Sequence, residues 1–148
     1  MNMKIMTVSL GLLLGATPAW AVLGQPASSV QSDQAYFRGM LEEVPRQGYA
    51  MHQISGPDGT VVREYVSPAG TVFGVSWQGP TMPNLSQLLG SYVADFHQAS
   101  QSPHGRRGPL VVRTDRVVIE SGGHMRAFHG RAYVPNLVPN NLTEAVVQ

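Results

Sequence analysis

The chain has 148 residues and a mass of 16.0 kDa, with 43% hydrophobic residues, a formal net charge of +1 and no cysteine. That is the length of one domain able to bury a core of its own. It excludes a disulfide scaffold, a zinc–thiolate site and a cysteine nucleophile, and the hydrophobic content excludes a charge-rich disordered chain.

Residues 1–21 read as a cleaved secretory signal peptide. Lys4 supplies the positive start, Ile5 to Ala16 the uncharged apolar run, and Ala19-Trp20-Ala21 the small-residue cleavage triplet after Pro18. The run is too short for a permanent transmembrane anchor, and no later stretch is long and apolar enough to span a bilayer. The reading is therefore a periplasmic or secreted protein, not a lipoprotein, because no cysteine follows the cleavage point. Residues 22–135 form the expected single domain. Loss of Lys4, the only lysine, leaves nine arginines against nine acidic residues.

The elements follow in chain order. Val30 to Glu43, with Val30, Tyr36, Phe37, Met40 and Leu41 as its apolar members, reads as an N-terminal helix ended by Pro45. Gly48–Ile54, Thr60–Val66 and Thr71–Trp77 read as strands separated by the turn formers 55–59 and 67–70. In the third, alternation puts Phe73, Val75 and Trp77 on one face. Such short connections predict an antiparallel meander.

Asn84 then caps a helix reaching to Ala99. Leu85, Leu88, Leu89, Tyr92, Val93 and Phe96 make an apolar stripe at helical period, and the Phe73-Val75-Trp77 face is its natural partner. Residues 99–108 read as a polar loop. Leu110–Thr114 and Arg116–Ser121 read as strands, Gly122-Gly123 as a turn, and His124–Val134 as a last strand. Residues 136–148, with prolines, asparagines and few anchors, read as a flexible tail. The fold class is α+β: a single antiparallel sheet of five or six strands, one amphipathic helix on a face and a second helix at the N-terminus.

Several strings together resemble a known family: Arg63-Glu64-Tyr65-Val66-Ser67-Pro68-Ala69-Gly70, Trp77-Gln78-Gly79-Pro80, Leu88-Leu89-Gly90-Ser91-Tyr92 and Glu120-Ser121-Gly122-Gly123-His124-Met125-Arg126. They are similar to exported proteobacterial proteins catalogued as domain of unknown function 2844. The resemblance runs from Leu23-Gly24-Gln25-Pro26 to about Pro135. It implies an exported single domain and brings no catalytic residue, cofactor or substrate.

The five histidines lack metal-ligand spacing, so no metal or cofactor is expected. Gly74-Val75-Ser76-Trp77-Gln78-Gly79 is one residue too long for a nucleophile elbow, and it lies within a strand. An enzyme is therefore the less favoured class. A small hydrolase assembled in space around Ser121, His124 and a carboxylate is the alternative, and a secreted oligomeric structural subunit is a third reading.

The arginines carry the main functional expectation. Arg106, Arg107, Arg113, Arg116, Arg126 and Arg131 fall in one segment with only Asp115 and Glu120 as acids. With His124, these arginines are the candidate binding residues. They would gather an anionic envelope component or a protein partner, with no nucleic acid expected in an exported compartment. The competing explanation is that outward strand arginines keep a sheet surface soluble.

Overall fold

The computed structural model describes residues 23–101 and 108–148. The expected signal peptide, His104, Arg106 and Arg107 lie outside the described residues. Seven strands form one antiparallel sheet: β1 Met40–Arg46, β2 Tyr49–Ser55, β3 Val61–Val66, β4 Val72–Gly79, β5 Leu110–Arg113, β6 Val118–His124 and β7 Ala127–Tyr133. Their order across the sheet is β1-β2-β3-β4-β7-β6-β5. Three helices, α1 Val30–Phe37, α2 Leu85–Leu89 and α3 Val93–Ser100, accompany it, and packing links α1 to β2 and α3 to β5. No described helix is long and apolar enough to cross a membrane.

The α+β class stands, but the expectation of five or six strands is corrected to seven. The additional strand is β1, whose first residues read as the end of the N-terminal helix. Arg38 adopts a left-handed conformation (φ 50°), and its N–H bonds back to the Ala35 and Gln34 carbonyls, which stops the helix at Phe37. The chain then reverses direction as Met40–Arg46 pairs with β2. Pro45 is tolerated because β1 is an edge strand, where a missing N–H breaks no ladder.

Gly122-Gly123 is likewise not a turn. Both glycines lie within β6, and the chain reverses at Met125-Arg126, between the paired residues His124 and Ala127. Arg126 there has φ 68°.

The helical stripe does cover the sheet. Leu88 and Leu89 are fully buried, and Leu85, Tyr92, Val93 and Phe96 pack against the same core as Val75 and Trp77. The helix itself is interrupted at Gly90 (φ 53°), where a short 3-10 turn separates α2 from α3. Asn84 caps α2, its side-chain oxygen accepting the Ser86 and Gln87 N–H groups at 3.0 and 3.3 Å.

Phe73 does not share a face with Val75 and Trp77 as alternation predicted. Tyr65 pairs with Gly74 but Val66 pairs with Val72, so Phe73 is the extra residue of a β-bulge. The bulge sends Phe73 to the other side of the sheet, into a second cluster with Tyr65 and Val147.

That second cluster ties down the C-terminal segment. Val147 is fully buried, seated over Gly74, where an added Cβ would meet a Val147 methyl at 2.6 Å. The segment read as a tail with few anchors therefore lies as a strap over part of the face opposite the helices. Tyr49, Tyr65 and Phe73 pack beneath it, with ring centroids 6.0 to 6.2 Å apart.

A polar cluster lies within the helix-side core. Asp33 on α1 and Glu64 on β3 are each 1% exposed, and Gln87 on α2 donates its side-chain N–H to Asp33. Burial first, and then the Asp33 charge, push the Glu64 carboxyl well above its usual range. No described N–H or hydroxyl reaches either Glu64 oxygen.

Candidate functional site

The face opposite the helices carries a polar row that runs across the strands. Register places Glu42, Gln53, Arg63, Ser76, Arg131, Glu120 and Val111 side by side, one from each strand in spatial order. Side chains opposite one another across antiparallel strands share a face, so all seven point away from the helices. The row beside it contains Val61, Gln78, His129 and Gly122.

Charge within the row is arranged in pairs on one side only. Arg131 donates from Nε to Glu120 Oε2 at 2.8 Å, and Arg113 from Nη2 to Glu120 Oε1 at 3.1 Å. Glu120 thus sits between two guanidiniums, held below the usual carboxylate range first by its hydrogen bond to Arg131. The same bond raises the Arg131 pKa. Arg63 differs. Its Nε donates to Gln53 Oε1 at 3.0 Å, and it has no carboxylate partner among the described residues.

The end of the strap meets this row at its centre. The Gln148 main-chain oxygen accepts from the Ser76 hydroxyl at 2.7 Å and the Tyr65 hydroxyl at 2.5 Å, and Arg131 donates to the Val147 carbonyl at 3.2 Å. On either side the sheet is open. A cavity of 470 Å³ is bordered by Arg63, Gln78, Glu120, His129 and Arg131, with Pro109 and Val111 as its apolar wall. A second, of 840 Å³, shares Arg63, Gln78 and Gln148 with the first and extends to Arg46 and Tyr49. A third, of 390 Å³, shares Gln78 and His129 and extends to Arg126. Together they form one shallow groove. Its bordering charged side chains are Arg46, Arg63, Arg126 and Arg131 against Glu120, with Glu42 further along the row and Glu144 close enough to act on Arg131.

Small residues keep the groove open. Gly122 faces it between His129 and Pro109, and a Cβ there would stand 3.3 Å from His129 Nε2. Ser76, between Arg63 and Arg131, is 2% exposed beneath the Gln148 main chain, so the open path runs beside it, past Gln78 and His129.

Only some of the arginines expected to act together are adjacent. Arg131 borders the groove, Arg113 reaches its rim through Glu120, and Arg126 stands at one end on the β6–β7 turn. Arg116 lies at the opposite end of β6, its guanidinium 5.4 Å from the centre of the Tyr92 ring. The seven residues of β6 separate those two turns by roughly 23 Å. His124 is exposed at the β6–β7 hairpin, its Nδ1 3.3 Å from the Met125 carbonyl oxygen. Ser121 is buried on the helix side while Glu120 and His124 belong to the other face. These three therefore do not converge as nucleophile, base and acid. Among the described residues, no three His, Asp or Glu side chains gather in a way that could hold a metal ion.

Arg63, Arg46, Gln78 and His129 are groove residues that sequence reasoning missed. Alternation in Val62-Arg63-Glu64-Tyr65 does show that Arg63 leaves the core, but its neighbours in the row depend on long-range register.

The architecture defines a class: a seven-stranded antiparallel sheet with helices on one face and a strapped, arginine-bordered groove on the other. The chain belongs to the family described as protein of unknown function DUF2844, which matches residues 19–147. No curated protein and no solved structure matches it significantly.

Proposed function

We propose that this protein is a non-enzymatic, exported binding domain that takes up an anionic ligand along the open face of its sheet. The observation that carries this reading is the ratio of charges bordering the groove, four arginines to one glutamate, in a chain whose formal net charge is only +1. A cationic slot in an otherwise balanced protein concentrates anions locally. Guanidinium is the group suited to planar carboxylate or phosphate recognition. Arg63 is the central ligand in this reading, because it has no carboxylate partner of its own. Export is supported by the charge, apolar run and cleavage triplet of residues 1–21.

Binding is tested by retention of the purified protein on a carboxylate-bearing matrix as salt is raised. Arg63→Gln should elute at distinctly lower salt than Arg38→Gln, an exposed arginine on the end of α1. Both variants lose the same charge, so equal elution of the two would remove the groove from the explanation. For export, the intact mass of the protein recovered from outside the cytoplasm should correspond to a chain beginning at Val22. A mass retaining residues 1–21 would overturn that part.

A further inference from the structure

We infer that the groove's ligand is an extended acidic glycan, a chain of sugars bearing carboxylates at regular intervals, lying across the strands. This rests on the anion-binding reading above and narrows it to one class of ligand.

Direction is the first argument. The groove crosses the sheet obliquely, from Arg46, four residues along β1 from the row, past Arg63 and Arg131 to Arg126, beyond the row on its other side. A peptide adding to a sheet pairs along an edge, parallel to the strands. The edges here, β1 and β5, lie at the two extremes of the sheet. A ligand crossing the middle of the face meets side chains and no free backbone ladder, since every central strand is paired on both sides.

Spacing is the second. Arg63 and Arg131 stand in a single row, two strands apart, and both border the cavity that passes the Gln148-covered Ser76 on the Gln78 and His129 side. At about 4.8 Å per strand, that places their Cα atoms about 10 Å apart. This is comparable with the disaccharide repeat of an extended, β-linked polyuronate, in which every second carboxylate emerges on the same side of the chain. Arg63 has its terminal nitrogens uncommitted among the described residues, and Arg131 is steadied by Glu120 and the Val147 carbonyl.

Lining chemistry is the third. Gln53, Gln78, Gln148 and His129 surround the two guanidiniums. Amide and imidazole groups both donate and accept, which suits sugar hydroxyls arrayed along a chain. The floor is kept shallow at Gly122, between His129 and Pro109, so it offers a broad surface with few deep recesses for the side chains of a peptide.

Titration calorimetry of the protein with β-1,4-linked oligomannuronate tests the assignment, with uncharged β-1,4-oligomannose and poly-L-glutamate as comparators. Oligomannuronate should bind, oligomannose should not, and poly-L-glutamate should bind at least about tenfold more weakly, the factor that one charge-assisted contact supplies. Arg63→Gln should weaken oligomannuronate binding about tenfold, whereas Arg38→Gln should leave it within about twofold. Should poly-L-glutamate bind as tightly and lose as much on Arg63→Gln, the anion groove stands and the glycan assignment falls. Equal binding of oligomannose would also overturn it, by removing the carboxylates from recognition. Failure of both polyanions, or equal effects of the two arginine variants, would overturn the groove itself.

Discussion

Gly130→Ala should lower the unfolding free energy by about 3 kcal/mol, at the upper end of what overpacking costs. Trp77 on β4 lies directly over Gly130 on β7, its cross-strand partner. A Cβ at that position would stand 2.2 Å from Trp77 Cζ2 and 2.7 Å from the Glu120 carbonyl oxygen. The indole is 2% exposed and belongs to the main core, and the carbonyl belongs to the β6 ladder, so neither can yield alone. Either Trp77 leaves its site or β6 and β7 part. Gly70→Ala separates steric crowding from the general penalty of losing a glycine. Gly70 has φ 80° with no atom within 4 Å of an added Cβ, so its substitution should cost only the left-handed strain, about 1 kcal/mol. Chemical denaturation measures both. If Gly130→Ala proves no worse than Gly70→Ala, the Trp77 contact is not what fixes the centre of the sheet. Because β7 and β6 carry Arg131 and Glu120, the same variant should also degrade binding in the groove.

The second large effect is on pH dependence. Glu64 is kept neutral by burial and by Asp33 beside it, so the folded protein holds a proton that the unfolded chain releases once pH passes the usual carboxylate value of 4.5. Stability must therefore fall as pH rises from there through the raised folded value. Asp58 and Glu120 act in the opposite sense. Their pKa values are lowered, Asp58 chiefly by the Thr81 hydroxyl and Glu120 chiefly by Arg131, so what they contribute is lost on the acid side. Glu64→Gln removes the proton requirement while keeping a side chain of the same shape beside Asp33. Between about pH 5 and about pH 9 the wild-type denaturation midpoint should decline more steeply than that of the variant. Near the alkaline end Glu64→Gln should be the more stable by about 1–3 kcal/mol, the cost of a buried polar group left without its partner. Parallel pH profiles for the two proteins would show that no proton is held at this site.

Both effects arise from residues whose type was visible in the chain and whose partners were not. Alternation around Val62-Arg63-Glu64-Tyr65-Val66 already separates Glu64, on the apolar side, from Arg63. Likewise the Leu85, Leu88, Leu89, Tyr92, Val93 and Phe96 spacing is enough to define a helix lying on a sheet. The turn formers at 55–59 and 67–70 are enough to make the central strands antiparallel. All these signals are local, set by side-chain period and by the φ preferences of glycine and proline.

The tertiary structure decided what local signals leave undetermined. Residues 38–46 carry apolar side chains compatible with a helix end, and only pairing with β2 makes them a strand. Gly122-Gly123 has the composition of a turn, but β5 and β7 hold it extended from both sides. One bulge transfers Phe73 to the other face, and Val147, far away in sequence, covers it there. The groove has the same origin. Arg63 and Arg131 are 68 positions apart in the chain, and they become neighbours across Ser76 because β7 pairs with β4 and not with an edge. Side-chain period is a property of the local backbone, whereas strand order and register come from minimising exposed apolar area and unpaired backbone groups over the whole chain. For that reason the helix-covered core face could be read from the sequence apart from Phe73, whereas the second cluster under the strap and the site on that face could not.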